Sequence, residues 1–217
     1  MRPERKMDEA LRVREFWFGR LSSAGPWSLQ ELNRRMDFWF GGDESREQRA
    51  HRDAMIAAQF ADLVTLAAAG SLASWADSPR RRLSLIILLD QFPRNLFRGT
   101  ARAFAYDEQA LGLALSGMHS AADGALTVIE RLFFYMPLQH SEEPEVQDES
   151  VAAYRRLLAE APEELRSPFE STLEFAAAHQ QIVQRFGRFP ARNRALGRVS
   201  TAAERKYLES GAADFGQ

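Results

Sequence analysis

The sequence predicts an all-α domain of stacked antiparallel helix pairs, about nine helices in all. Three observations predict it. Apolar residues recur at helical spacing along nearly all of the 217 residues. No segment shows two-residue alternation bounded by hairpin turn chemistry. The connections are mostly short, so consecutive helices are expected to fold back on one another. No biased linker marks a boundary, and residues 1–217 are expected to form one domain, large enough to bury a core without staples.

The elements follow in order. A first helix is expected from about Asp8 to Phe18, stopped by Gly19, with a loop at 22–26. Ser28 and Glu31 form a capping box, in which each side chain takes the other's backbone amide. They start a short helix ending near Gly41 and Gly42. Asp43 can cap a long third helix to about Ala69, with Met55, Phe60, Leu63 and Leu66 as its apolar positions and Gly70 as its terminator. Ser78 and Pro79 are a cap and a first-turn proline. The run Leu83 to Leu89 is apolar nearly all round and reads as the central buried helix, ended by Pro93. Thr100 can cap a helix to about Ser116, and another spans Ala125 to Met136 and is stopped by Pro137. A polar helix runs from about Glu142 to Ala161. Pro162 opens a long one that reaches Phe186, where Gly187 and Pro190 break it. Thr201 and Glu204 make a second capping box for the last helix, and residues 211–217 are expected to fray. The aromatics Trp17, Trp39, Trp75, Phe133, Phe134 and Tyr135 are expected in the core.

Composition removes several functions. There are no cysteines, so disulfides and thiolate chemistry are excluded, and a zinc site would have only His and carboxylate ligands. The start carries charge where a signal peptide needs an apolar run, and the Leu83–Leu89 run is too short to span a bilayer, so a cytoplasmic protein without a membrane partner is expected. A net charge of −2 gives no global attraction to nucleic acid or anionic lipid. Local charge is less even. Five acids and no Lys or Arg stand between Gln139 and Glu149, whereas six arginines and a lysine stand against Glu204 alone between Arg185 and Lys206.

Two internal echoes point to repeated helical hairpins. Asp90-Gln-Phe-Pro-Arg-Asn95, with Arg98, Gly99 and Thr100, parallels Phe189-Pro-Ala-Arg-Asn193, with Gly197, Arg198 and Thr201. Phe16-Trp-Phe-Gly19 parallels Phe38-Trp-Phe-Gly41. The first pair, together with Phe104-Ala-Tyr-Asp107 and the run from Glu130 to Glu142, resembles the bacterial family of unknown function known as DUF924, over about residues 10–208. The resemblance implies an all-helical, tetratricopeptide-like fold and leaves the reaction open. In that pattern a histidine often stands where this chain has Ala191, and a glutamate where it has Gln139. If either position holds a catalytic group or metal ligand in the family, this chain is impaired there; otherwise the departures argue that neither position is indispensable.

Four groups of residues could carry chemistry. His140, followed by Ser141, Glu142 and Glu143, could take part in acid–base work or meet a divalent metal, but the spacing matches no metal motif, and the acids equally suit a helix first turn. His179 shares a helical face with Phe175, Ile182 and Phe186 and reads either as a satisfied core histidine or as a base aimed at a cleft. Asp90 closes the apolar helix and needs an offset such as Arg94 or Arg98, a structural role. Glu130 is likewise taken as a structural carboxylate. The arginine segment is the strongest candidate. Arg185, Arg188, Arg192, Asn193 and Arg198 lie in or near Gly- and Pro-broken backbone before a helix N-terminus, and Arg94 and Asn95 would join them if the two Phe-Pro elements converge.

Two functions follow as expectations. One is a scaffold that binds a small anionic molecule or an acidic peptide end on those arginines. The other is a hydrolase-type enzyme with His140, His179 and Glu142 as acid–base groups and an arginine as oxyanion stabiliser. No phosphate loop, nucleophile elbow or dinucleotide fingerprint is present, so no cofactor and no resident metal is expected. Nucleic acid is not expected as a partner, and the oligomeric state is left open.

Overall fold

The computed structural model describes residues 8–19, 26–42 and 44–211. Among these residues the chain is helical, with no strand. The helices are α1 (Glu9–Phe18), α2 (Leu29–Phe40), α3 (Arg46–Ala68), α4 (Pro79–Ile86), α5 (Phe92–Leu96), α6 (Asp107–His119), α7 (Val128–Phe134), α8 (Met136–His140), α9 (Pro144–Glu160), α10 (Arg166–Phe186) and α11 (Ala202–Glu209). A π turn at Ile87–Gln91 joins α4 to α5, and only Tyr135 separates α7 from α8. Counted as continuous rods, the described residues therefore form nine helices, as expected. None of them is long and apolar enough to cross a membrane. Parts of the expected loop at 22–26 and of the expected tail at 211–217 lie outside the described residues.

The caps account for most boundaries. Both expected capping boxes are present, Ser28 with Glu31 and Thr201 with Glu204. Two more start α3 (Ser45 with Gln48) and α7 (Thr127 with Glu130). Asp43 lies outside the described residues. Thr100 leads into a 3-10 turn at Ala101–Phe104, and the α-helix begins only at Asp107. On α3 the buried face is Ile56, Phe60, Leu63, Val64 and Ala67, while Leu66, expected inward, is exposed.

Two prolines behave differently from expectation, and both differences matter to the site. Pro93 does not end the central helix. The turn before it widens, so that the Phe92 N–H reaches the Ile87 carbonyl five residues back, and Pro93 then opens α5 in the first turn, where its missing N–H is not needed. Pro137 does not stop its helix either. It takes the same first-turn position in α8 and carries the chain on to His140.

The core is one aromatic-rich mass built on α4, α7, α1 and the inner faces of α2, α3, α9 and α10, including Trp17, Trp39, Trp75, Phe133, Phe134 and Tyr135 as expected. The Trp39 indole N–H donates to the Trp17 carbonyl at 2.8 Å. A small separate cluster of Ile182, Val183 and Phe189, with Phe186 and Tyr207 against it, holds the C-terminal segment to α10.

Candidate functional site

The widened turn and the proline-opened helix meet over one cavity. Asp90, on the π turn, is fully buried, and α8 ends beside it at His140. A helix ending inside a protein leaves carbonyls that need donors. Here the buried Gln147 amide donates to the carbonyls of Leu138, Gln139 and Ser141 at 3.3, 2.8 and 2.6 Å. Arg192 Nη1 donates to the His140 carbonyl at 3.0 Å. The backbone that carries His140 is thus held from two sides by side chains.

His140 Nδ1 lies 2.6 Å from Asp90 Oδ1, and Asp90 Oδ2 accepts from Gln91 Nε2 at 2.5 Å. Burial alone would push the Asp90 carboxyl up. The neighbouring His140 and Arg94, with the hydrogen bonds from His140 and Gln91, outweigh it and hold Asp90 below the ordinary carboxylate range. Burial, helped by the positive charge of Arg94, lowers the His140 pKa from its ordinary 6.5 despite Asp90. At neutral pH the pair is therefore a carboxylate and a neutral imidazole. An ionised carboxylate only accepts, so the imidazole proton sits on Nδ1, and Nε2 carries the lone pair. Among the described residues Nε2 has no hydrogen-bond partner, and His140 lines the cavity. His179 lies close by, its ring centre 6.4 Å from that of His140, with Nδ1 2.8 Å from the Phe175 carbonyl. Burial pushes its pKa down to about 3, so it too is neutral.

The cavity has a volume of about 570 Å³, within the range of small-molecule sites. One wall is aromatic and apolar: Trp17, Trp39, Phe40, Met36, Met136 and Phe175, of which Phe40 and Phe175 are half exposed. The other is basic. Arg49, Arg52, Arg94 and Arg98 line it against a single carboxylate, Asp37. These arginines are positioned from behind: Arg52 by Glu44 and the Phe38 carbonyl, Arg98 by Asp53, and Arg94 by both oxygens of Asp107 at 2.9 Å. A second, shallower hollow of about 660 Å³ lies against α6 and α9, bounded by His119, Asp123 and Glu149. Its Asp123 already accepts the Tyr135 hydroxyl, and no buried His–carboxylate pair faces it. Among the described residues no group of three or more His, Asp or Glu is placed to hold a metal ion.

The expected residues divide. His140, His179, Arg94 and Asn95 line this cavity. The two Phe-Pro elements do converge, since Arg94 and Arg192 both reach Asp107, Arg192 at 3.4 Å. Glu142 does not join the histidines. It accepts both Nη groups of Arg198, at 2.6 and 3.0 Å, and the Phe189 amide at 2.8 Å. Nor does the C-terminal segment present spare charge to the cavity. Arg188 grips both oxygens of Glu204 at 2.6 and 2.9 Å, and Asn193 bonds Ser200, Glu204 and Arg198. Arg185 lies over the rings of Phe186 and Tyr207, and Arg192 is buried between Phe104 and Phe189. Glu204, inside the segment, and Glu142, from the opposite charge block, neutralise Arg188 and Arg198. Asp90, expected to be offset by Arg94 or Arg98, meets Arg94 at 3.4 Å, and its Oδ1 also lies against His140. Glu130 is structural, closing its capping box with Thr127 and facing Arg14 at 3.5 Å. Sequence reasoning missed Gln91, Arg52, Gln147 and Asp107. Asp107 and Gln91 carried a signal, as the acid ending Phe104-Ala-Tyr-Asp107 and as the second residue of Asp90-Gln-Phe-Pro-Arg-Asn95.

Against known proteins, the sequence profile of a family described as bacterial protein of unknown function (DUF924) matches residues 13–212. A solved structure of a protein of unknown function, ATU0120 from Agrobacterium tumefaciens, is 34% identical, with a TM-score of 0.74 over 94% of this chain and 98% of that one. No curated protein matches.

Proposed function

The chain belongs to the DUF924 family, and from that premise we propose that it is a hydrolase-type acid–base enzyme acting on a small organic anion, with His140 as general base and Asp90 as its orienting carboxylate. The observation that carries the reading is the Asp90–His140 pair: a buried imidazole, its proton on Nδ1 fixed at 2.6 Å by a buried carboxylate, its Nε2 turned to an arginine-lined cavity. This is the arrangement that lets an imidazole take a proton from water and later return it to a leaving group. The carboxylate keeps the ring in one tautomer and stabilises the imidazolium formed in passing.

The anion expected from the sequence is kept, and its place moves. Arg49, Arg52 and Arg98 border the cavity that His140 lines, with Glu44 and Asp53 as their acids, while Arg188 and Arg198 meet Glu204 and Glu142 away from it. His179 is held neutral beside the base, where it raises no positive charge against the imidazolium.

The test is a thermal-shift screen of small carboxylates and phosphates, followed by turnover of ester analogues of those that bind. Organic acids are expected to raise the melting temperature of the wild type and of His140→Asn, but not of the double variant Arg52→Met and Arg98→Met. Ester turnover is expected only with His140 present. The rate should climb with pH along an acidic limb below 6.5, because His140 must be neutral to act. A binding ester hydrolysed equally by His140→Asn would remove the enzyme reading.

A further inference from the structure

Within the reading of His140 as a base, the cavity also says what kind of bond it acts on. Gln139 precedes His140 on α8 and is 4% exposed, yet its side-chain amide makes no hydrogen bond among the described residues. Its polar atoms are not sealed in either, unlike the orphaned buried atoms elsewhere in the protein, such as Gln147 Oε1. They border the cavity. Gln91 repeats the pattern. It is 8% exposed, its Nε2 is given to Asp90, and its carbonyl oxygen is left over beside the same space. A buried carboxamide without a partner costs stability. The unpartnered Gln139 amide and the spare carbonyl oxygen of Gln91, bordering the cavity that the base lines, suit a polar, uncharged group.

The arginines cannot take the role of polarising that group as well. Arg94, the one closest to the dyad, already gives Nη1 to Asp90 and Asp107 and Nη2 to Asp107. Gln139 Nε2, on the residue before His140 and on the lining of the same cavity, is a donor with no partner among the described residues, whereas the unpartnered Arg94 Nε is sealed in the interior. We infer that Gln139 polarises the carbonyl of a substrate amide, that Gln91 accepts the amide N–H, and that the substrate is an N-acyl amino acid with an apolar side chain. Each part of such a molecule has a counterpart: the carboxylate has Arg49, Arg52 and Arg98, the apolar side chain has the wall of Phe40, Phe175 and Trp39, and the amide has the two glutamines.

The step balances with water as co-reactant. His140 Nε2 takes a proton from water, the water oxygen bonds to the acyl carbon, and the carbonyl oxygen gains charge against Gln139 Nε2. The C–N bond then breaks, and the His140 proton passes to the leaving nitrogen. The products are a carboxylic acid and a free amino acid.

The experiment uses the full chain and three probes. N-acetyl-phenylalanine carries all the groups, 3-phenylpropionate lacks the amide, and N-acetyl-phenylalaninamide lacks the carboxylate. Calorimetry is expected to give N-acetyl-phenylalanine an affinity at least tenfold above either of the others in the wild type. Amine-release assay is expected to show phenylalanine formed from it. Gln139→Leu should bring N-acetyl-phenylalanine down to the affinity of 3-phenylpropionate, leave 3-phenylpropionate binding as it was, and cut amine release at least a hundredfold. The unchanged 3-phenylpropionate affinity shows that the variant is folded with its arginine wall intact. Equal wild-type affinity for N-acetyl-phenylalanine and 3-phenylpropionate overturns the amide assignment while leaving an anion site. Binding by neither acid overturns the anion reading with it. Full amine release from Gln139→Leu overturns the carbonyl role. The wild-type ligand comparison needs no variant, so the inference stands or falls even if Gln139→Leu does not fold.

Discussion

Arg94 and Arg192 reach the same carboxylate, Asp107, from two Phe-Pro elements of nearly matching sequence, but the elements around them end in opposite conditions. The first, Asp90 to Asn95, is wound into a widened helical turn and leaves polar atoms of His140, Gln91 and Gln139 facing a cavity. The second, Phe189 to Asn193, is a short 3-10 turn in which Arg188, Asn193 and Arg198 are matched by Glu204, Ser200 and Glu142. Arg192 ties them together, because it also donates to the His140 carbonyl. The difference teaches that a shared motif fixes neither the local turn nor the fate of its polar atoms: the arginines of both elements meet acids, Arg94 with Asp107 and Arg98 with Asp53 as Arg188 with Glu204, and what sets the first apart is the cavity it borders. On the proposed reading the first element carries the chemistry, and the second holds the His140 backbone in place through Arg192.

The sharpest way to break this comparison is Asp90→Asn. If the first element is chemical, the asparagine keeps the shape but offers His140 an amide that can donate as well as accept, so the wrong tautomer competes. Hydrolytic turnover should fall by about a hundredfold to ten-thousandfold, with anion binding retained. A fall confined to affinity, with turnover per bound ligand intact, would reduce Asp90 to the structural role first read from the sequence.

Arg192→Met addresses the link. The side chain is 4% exposed and lies between the Phe104 and Phe189 rings, so the methionine can fill its space. The His140 carbonyl then loses its charged donor, and Asp107 keeps only Arg94. Urea unfolding should show a loss of about 2–4 kcal/mol, and turnover should drop because α8 no longer fixes the His140 ring. Lost stability with unaltered turnover would uncouple the second element from the site.

Titration separates the two regions next. Burial holds His179 down to about 3, whereas in the unfolded chain it protonates near 6.5, so its neutral burial weighs against the fold as pH drops below 6.5. Glu204 behaves in the opposite sense. Hydrogen bonds from Arg188 and then from the Thr201 amide lower its pKa to about 2, so its contribution is complete above 4.5 and is lost as pH falls through about 2. Between pH 7 and 5.5 only the cavity side should lose stability. His179→Gln should lessen that loss, and Glu204→Gln should leave it in place. The reverse assignment would show that acid sensitivity begins at the C-terminal element.

How much of this could be read from the chain varies by region for a physical reason. Ser28, Thr201 and the apolar run at 83–89 declare their structure within a turn or two, because capping and amphipathicity are local. Pro93 and Pro137 misled because a proline tolerated in a helix first turn looks the same, in sequence, as one that ends a helix. Asp90 and His140 stand 50 residues apart, and nothing local says that a carboxylate at a helix end will face a histidine after a proline. The arginine cluster was the loudest local signal and the least informative about ligands, since its partner Glu142 is 56 positions away from Arg198.

Arg198→Ala is the mildest test and the most direct on that last point. The guanidinium and the Glu142 carboxylate are each about a quarter exposed, so water and salt already screen the pair. Its removal also costs hydrogen bonds to Asn193 and the Phe189 carbonyl. The fold should lose about 1 kcal/mol, more at low salt than at high. Organic acids should bind as before, because Arg198 lies behind the Phe189 turn and does not border the cavity. The opposite result, with binding abolished and stability unmoved, would mean that Glu142 releases Arg198 to a ligand and that the C-terminal element, not the first, is where the anion is held.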